Sequence, residues 1–143
     1  MITNLIYQDN CTDIPWEEVP LLLQKVNMAS TDVDTHRLSF EASKEVVFVF
    51  DNRKLVGLGR AISDGVRQAA LYDIAVDPEY QGNKIGKEIV IRIMRKLPAC
   101  NFILYASPGK EDFYRKLGFK KMRTGMVIFS NPERMNDTDF IEQ

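Results

Sequence analysis

The sequence predicts a single α/β domain, residues 1–143, built around a mixed and mostly antiparallel β-sheet. Three apolar segments joined by short turns in the first half predict an antiparallel meander. A strand–helix–strand pattern follows, and because its connection is as long as a helix, it predicts a parallel strand pair. The length of 143 residues suits one domain, and no repeat, low-complexity segment or linker divides the sequence.

The N-terminal third is predicted as one edge strand followed by two helices. Residues 2–8 read as the strand. A helical pattern opens at Pro15 and places its apolar side chains on one face. Asp34 as an N-cap predicts a second, shorter helix, whose apolar residues include Phe40.

Five further strands and two helices account for most of the remaining sequence. The predicted strands cover residues 45–50, 55–62, 70–76, 101–106 and 124–130. Apolar residues spaced by four, with basic residues on other faces, predict a helix over 83–97. A short helix over 109–118 follows, with Gly118 as its C-terminal cap. The polar tail, 131–143, is expected to fray.

The composition argues against several classes of function. A net charge of −1 disfavours nucleic acids and acidic membranes as partners. No apolar run approaches the roughly 18–20 residues of a membrane span, and no secretory signal is visible. Cys11 and Cys100 are expected to be reduced thiols in a cytoplasmic protein. With His36 as the one histidine and no Cys/His cluster, no metal site is expected.

The segment DPEYQGNKIGKEIV, residues 77–90, follows an apolar strand and can hold an anion. The first N–H groups of a helix lack intrahelical partners and carry the positive end of the helix dipole. Gly82 and Gly86 permit close approach, and Lys84 and Lys87 add positive charge. An ordinary glycine-containing turn beside a solvated basic helix face fits the same residues. Neither a GxxxxGK[ST] nor a GxGxxG motif is present, so both interpretations stay open here.

The pairing of AVDPEYQ, residues 75–81, with a downstream FYRKLGF, residues 113–119, resembles the GNAT superfamily of acetyl-CoA-dependent N-acetyltransferases. The element order matches over residues 2–130, most closely over 55–120. The resemblance implies a GNAT fold: a central sheet of six to seven strands, flanked by about four helices, with a splayed parallel pair. Acetyl-CoA would lie as cosubstrate between those two strands, without a metal.

The resemblance also assigns residues to acetyl-CoA. They are Ile74, Ala75, Val76, Gln81, Gly82, Asn83, Lys84, Ile85, Gly86, Lys87, Ser107 and Tyr114. The backbone around residues 74–76 would hold the pantetheine arm, and the N–H of Val76 would polarise the acetyl carbonyl. In the pyrophosphate motif Q/R-x-x-G-x-G/A, Lys84 replaces the central glycine. Its backbone N–H remains available, but the loop geometry can differ.

Acetyl transfer to an amine needs a proton donor and a neutral amine. By its position in the family pattern, Tyr114 is the general acid for the coenzyme A thiolate. An amine near pKa ~10.4 needs roughly 4.6 kcal/mol to be neutral at pH 7, so a base is useful. Asp73, in an apolar strand, is the candidate base, with a structural acid or a ligand for the amine's charge as alternatives. Strand alternation would let only one of Tyr72 and Asp73 face the substrate. Glu41, Glu79 and Tyr72 are weaker candidates.

The predicted function is N-acetylation of a small primary amine, arylalkylamine or polyamine-like, within a ternary complex. The acceptor would contact Trp16, Phe40, Tyr72 and Asp73. Alternatives are acetylation of a protein lysine or N-terminus, or a non-catalytic acyl-CoA sensor, for which Lys84 is the one hint. Dimerisation is common in the family, so a homodimer is possible.

Overall fold

The computed structural model describes residues 4–135 and 139–142. The chain divides into two compact units, Met1–Leu104 and Tyr105–Gln143. The first unit contains β1 (Leu5–Gln8), α1 (Glu18–Lys25), α2 (Val33–Glu41), β2 (Glu45–Asp51), β3 (Lys54–Ser63), β4 (Gln68–Val76), a 3₁₀ turn (Pro78–Tyr80), α3 (Ile85–Lys96) and β5 (Asn101–Ile103). The second unit contains α4 (Glu111–Arg115) and a 3₁₀ turn (Pro132–Arg134).

The five strands of the first unit form one sheet in the order β1-β2-β3-β4-β5. The first four pair antiparallel, and β4 pairs parallel with β5 across the α3 connection. The predicted mixed sheet, its meander and its parallel pair are therefore confirmed. The four α-helices of the described ranges also agree with the expected number.

The predicted number of strands is wrong, because the described residues form five strands in place of six to seven. Residues 124–130 form no strand, and Met126 and Ile128 are 94% and 97% exposed. An apolar, β-branched run favours a strand only where a neighbouring edge supplies backbone partners. Residues 2 and 3 of the predicted edge strand, and residues 136–138 and 143 of the tail, lie outside the described residues.

Helices cover the two faces of the sheet. On one face α1 and α2 bury Leu23 and Phe40 against Phe48 and Leu58 of the sheet. On the other face α3 buries its predicted stripe, including Ile89, which is fully buried. Within the described residues, no helix is both long and apolar enough to cross a bilayer.

The N-terminal helix boundaries differ from the predicted ones by two or three residues. The N-cap of α2 is Asp32 and not Asp34, since the Asp32 carboxylate accepts from the Thr35 N–H at 3.0 Å. Hydrogen bonds from the Thr35 hydroxyl and, to a smaller extent, from the Thr35 N–H lower the pKa of Asp32. Pro15 forms a turn before α1, its carbonyl accepting from the Glu18 N–H at 2.9 Å.

Candidate active site

The buried side chain of Asp77 stabilises the turn that follows β4. Its carboxylate accepts from the Glu79 N–H at 3.0 Å and pairs with Lys25 at 3.0 Å and, more distantly, with Lys54 at 3.9 Å. Burial raises the pKa of Asp77, but the Glu79 hydrogen bond and the two lysines outweigh it, so the pKa lies below its usual value. This carboxylate therefore fixes the 3₁₀ turn that leads into α3.

Amide side chains then shape the segment between the 3₁₀ turn and α3. Gln81 Nε2 donates to the Val76 carbonyl at 3.1 Å, and Asn83 Nδ2 donates to the Tyr80 carbonyl at 2.9 Å. Gly82 adopts a φ of 85°, and a side chain built there would meet no atom within 4 Å. The amide side chains of Gln81 and Asn83 thus fix the backbone geometry of this turn. The space beside Gly82 is open.

Lys84 adopts a left-handed conformation at the start of α3, with φ 62° and ψ 19°. This is the position where the resemblance expects glycine, and it is a conformation that glycine adopts without steric cost. No side chain caps the helix at Lys84. The N–H groups of the first turn of α3, including those of Gly86 and Lys87, therefore remain suited to an anion.

The parallel pairing of β4 with β5 is short. It covers three positions, Gln68 to Ala70 of β4 against Asn101 to Ile103 of β5. From Leu71 to Val76 the described residues supply no strand partner on that side of β4, while pairing with β3 continues to Val76. The backbone predicted to hold the pantetheine arm, Ile74 to Val76, lies in this part of the strand.

Asp73 lies in a β-bulge of β4. The pairing with β3 shifts between Leu58 and Arg60, and Asp73 adopts a φ of 58°. The Arg60 Nε donates to Asp73 Oδ2 at 2.6 Å, and the Arg60 guanidinium also lies 5.3 Å from the Tyr72 ring centroid. Both neighbouring side chains reach one guanidinium, because the bulge interrupts the strand alternation here. Which of Tyr72 and Asp73 would face a substrate stays a prediction.

The Arg60 side chain also contacts Ser43 and Phe40. Its Nη1 donates to Ser43 Oγ at 3.3 Å, and its guanidinium lies 5.7 Å from the ring centroid of Phe40. The side chains of Arg60 and Asp73 are 15% and 21% exposed. The pair is thus mostly buried, and the hydrogen bond that the Asp73 carboxylate makes within the described residues is at Oδ2.

His36 lies near this pair, on α2, and is buried. Its Nε2 accepts from the Thr31 N–H at 2.9 Å. Burial lowers the pKa of His36, with Asp73 opposing that shift and Arg60 adding to it. Because Nε2 is an acceptor, the neutral ring carries its proton on Nδ1. His36 therefore acts here as a neutral ring that fixes the start of α2.

The aromatic residues predicted for the acceptor side pack together in the first unit. The Trp16 ring lies 6.1 Å from Phe40 and 5.8 Å from Phe48 between centroids. Phe40 is fully buried, whereas Trp16 is half-buried. Of these rings Trp16 offers surface to a ligand, while Phe40 supports it and Arg60 from inside the core.

Tyr114 and Ser107 belong to the second unit. Tyr114 lies on α4, with its ring edge-to-face against Phe113 at 4.9 Å and Phe119 at 5.8 Å. Burial raises the pKa of Tyr114 to about 12. The hydroxyl is consequently protonated at neutral pH, as a proton donor must be. The Ser107 carbonyl accepts from the Lys110 N–H at 2.9 Å, at the entrance to α4.

The sequence interpretation missed Arg60 and the buried role of Asp77. The signal for Arg60 was a single charge inside the apolar strand LVGLGRAI, since a buried charge requires a partner. For Asp77 it was an acidic residue directly before Pro78, a common start for a helical turn. Within the described ranges, acidic, Cys and His side chains do not gather into a group that could hold a metal ion.

Comparison with known proteins matches the chain to acetyltransferases. Residues 22–128 match the family model described as "Acetyltransferase (GNAT) domain". The chain is 32% identical over 130 residues to GCN5-related N-acetyltransferase 2, chloroplastic, of Arabidopsis thaliana, covering 79% of this chain and 48% of the relative. It is 30% identical over 119 residues to the uncharacterized N-acetyltransferase ycf52 of Pyropia yezoensis, covering 81% and 64%. The chain thus spans about half to two thirds of the length of these relatives.

A solved structure shows the same fold. A probable acetyltransferase of unknown function from meticillin-resistant Staphylococcus aureus superposes with a TM-score of 0.76 at 24% sequence identity. The superposition covers 87% of this chain and 99% of that one.

Proposed function

Since the chain belongs to the GNAT acetyltransferase family, we propose that it transfers the acetyl group of acetyl-CoA to a primary amine of a small molecule. The observation that carries the proposal is the open turn between β4 and α3, where Gly82 and Lys84 adopt positive φ and the Lys84 side chain makes no capping hydrogen bond. Backbone N–H groups at such a helix start suit a pyrophosphate. The residues present therefore fit acetyl-CoA, even with Lys84 in the glycine position.

Acetyl-CoA would supply an activated thioester, and the chain's own groups would bind and orient it. Residues from Gln81 to Lys87 would hold the pyrophosphate, with the cations of Lys84 and Lys87 adding charge. The exposed backbone of Ile74 to Val76 would hold the pantetheine arm, and Ser107 would contact it. The N–H of Val76 would stabilise negative charge on the carbonyl oxygen as the amine attacks.

Two side chains would take part in proton transfer. The Tyr114 hydroxyl would donate its proton to the leaving thiolate, in keeping with a pKa of about 12 that keeps it protonated. Asp73 would accept the amine's proton through Oδ1, directly or through one water, while Arg60 holds Oδ2. The Arg60 ion pair affects a base and a charge ligand for the amine alike, so both roles of Asp73 stay open within this proposal.

For the acceptor we propose a small arylalkylamine or polyamine-like amine. Tyr72 would provide aromatic surface beside Asp73, and Trp16 would provide a second aromatic surface that the buried Phe40 supports. A cytoplasmic location, a single GNAT domain over residues 1–143 and a homodimer remain predictions from the sequence.

The test measures release of free coenzyme A from acetyl-CoA with a panel of arylalkylamines, polyamines and lysine-containing peptides. We expect turnover with at least one small amine. The variant Tyr114→Phe should lower kcat about 100-fold, a typical contribution of general acid catalysis, while the KM for acetyl-CoA stays near its wild-type value. Tyr7→Phe, which removes the same hydroxyl from the edge strand β1, is the matched control and should leave kcat unchanged.

Two results would overturn parts of this proposal. Saturable acetyl-CoA binding without turnover on any amine or peptide would indicate a sensor. An unchanged kcat in Tyr114→Phe would remove Tyr114 from the mechanism while leaving the acetyl transfer itself intact.

A further inference from the structure

A cavity of about 300 Å³ lies in the first unit, between α3 and the β1–β2 edge of the sheet. It is lined by the end of β1, the start of β2 and the part of α3 from Glu88 to Lys96. The turn predicted to bind acetyl-CoA precedes the opposite end of α3, at Ile85. The cavity is therefore a separate place on the same helix, and its volume is at the small end of ligand pockets.

The charges that line this cavity balance. Three are acidic and three are basic: Asp9, Glu45, Glu88, Arg92, Arg95 and Lys96. Arg92 Nε donates to Glu88 at 2.9 Å, and Lys96 Nζ lies 3.2 Å from Asp9. Within the described part of the chain, Glu45 and Arg95 have no ion-pair partner and do not pair with each other. The cavity thus presents one unpaired anion and one unpaired cation on different walls, β2 and α3.

The rest of the lining is the Tyr7 ring, the Gln8 amide and three aliphatic side chains, Val46, Val47 and Ile93. The three aliphatic side chains are buried and lie beneath the cavity wall. The Tyr7 ring forms one wall, with the Arg92 guanidinium 4.3 Å from its centroid. Burial raises the pKa of Tyr7, an effect that Glu88 reinforces and Arg92 opposes, so its hydroxyl is a neutral donor. An apolar side chain of a ligand would contact the partly exposed Tyr7 ring here.

We propose that this cavity binds a free α-amino acid with an apolar side chain, its ammonium at Glu45 and its carboxylate at Arg95. A zwitterion carries an ammonium to pair with Glu45 and a carboxylate to pair with Arg95. Each of these pairs forms a charge-assisted hydrogen bond. A phosphate or another plain anion would leave Glu45 unmatched, and its attraction is weakened because Asp9 and Glu88 neutralise two of the three cations. A plain amine would leave Arg95 unmatched. The site is independent of the acetyl-transfer proposal.

The experiment titrates the full chain with L-leucine by calorimetry, in the absence of acetyl-CoA. Two comparators each lack one charge: 3-methylbutylamine has no carboxylate, and 4-methylpentanoate has no ammonium. We expect saturable binding of leucine, with each comparator at least about tenfold weaker, as loss of a charged hydrogen bond predicts. Comparators that bind as tightly as leucine would overturn the zwitterion site, as would the absence of saturable leucine binding.

Variants then locate the site. Glu45→Gln and Arg95→Gln should each weaken leucine binding about tenfold. Both side chains lack ion-pair partners, so the folded state should be kept, which circular dichroism and the melting temperature check. Glu17→Gln and Arg53→Gln make the same changes at exposed positions and should leave the affinity unchanged. Leucine affinity unaltered in both cavity variants would place the ligand elsewhere and overturn the proposal.

Discussion

The Nε of Arg60 lies 2.6 Å from the Oδ2 of Asp73, joining neighbouring strands across the β-bulge. The bulge gives Asp73 a left-handed φ of 58°, a conformation that aspartate tolerates better than most residues. The ion pair depends on the bulge, because the bulge brings Asp73 to the guanidinium. They immediately precede Ile74 to Val76, the backbone proposed to bind acetyl-CoA.

Removing the guanidinium should therefore destabilise the fold and disturb the site. Arg60→Met leaves a mostly buried carboxylate unpaired and should lower the free energy of unfolding by about 2–4 kcal/mol in urea denaturation. Arg60→Lys keeps the charge without the planar fork and should cost less, about 1–2 kcal/mol. The double variant Arg60→Met/Asp73→Asn should recover at least about 1 kcal/mol relative to the sum of the single changes. Strict additivity would show that the two side chains are not coupled.

Lys84 should tolerate replacement by glycine better than any helical lysine nearby. Its left-handed φ of 62° costs a residue with a Cβ about 1 kcal/mol, which glycine avoids. Lys84→Gly should thus leave the melting temperature unchanged or slightly raised. Lys87→Gly, three residues later inside α3, should instead lose about 1 kcal/mol from helix propensity. Equal losses in both variants would contradict the left-handed assignment.

The buried carboxylate of Asp77 should make stability depend on acidity. Burial opposes ionisation of Asp77, but the Glu79 N–H, Lys25 and Lys54 lower its folded pKa below the usual 3.8. The stabilisation is therefore complete well above pH 3.8 and is lost as the pH falls through the folded pKa. Asp77→Asn should cost about 1–2 kcal/mol at pH 7.

Unfolding at a series of pH values measures this difference. The gap between wild type and Asp77→Asn should close towards acidic pH, because both side chains are then uncharged. A gap that stays constant with pH would show that packing, and not charge, explains the loss.

Gly59 is needed because α3 packs closely on β3. A Cβ there would lie 2.6 Å from Ile74 Cδ1 and 2.7 Å from Ile89 Cγ2. Gly59→Ala should destabilise the protein by about 1–3 kcal/mol through overpacking. Gly125→Ala is the matched control, since its added carbon meets nothing closer than Met122 Sδ at 4.0 Å. Thermal unfolding of the two variants should differ accordingly, and equal melting temperatures would argue against close packing at Gly59.

Much of the fold follows from local patterns in the sequence. The strand periodicity of 45–76 and the four-residue spacing of 83–97 depend on neighbours along the chain, and they predicted the meander, α3 and the parallel pair. The same logic failed for 124–130, where β propensity alone does not create a pairing edge. The turn at Gln81 to Lys87, proposed to bind a pyrophosphate, was recognisable because backbone freedom and helix direction are both local properties.

The sequence by itself therefore indicated the family, the meander with its parallel strand pair, and the position of the turn before α3. The tertiary structure decided how charged side chains from distant segments are paired. Arg60 meets Asp73 because a bulge re-aims one strand, and Lys25 meets Asp77 across 52 positions of sequence. It also left Glu45 and Arg95 unpaired on different walls of one cavity. Pairing of this kind depends on distances in space. Neither periodicity nor residue spacing along the chain reveals those distances.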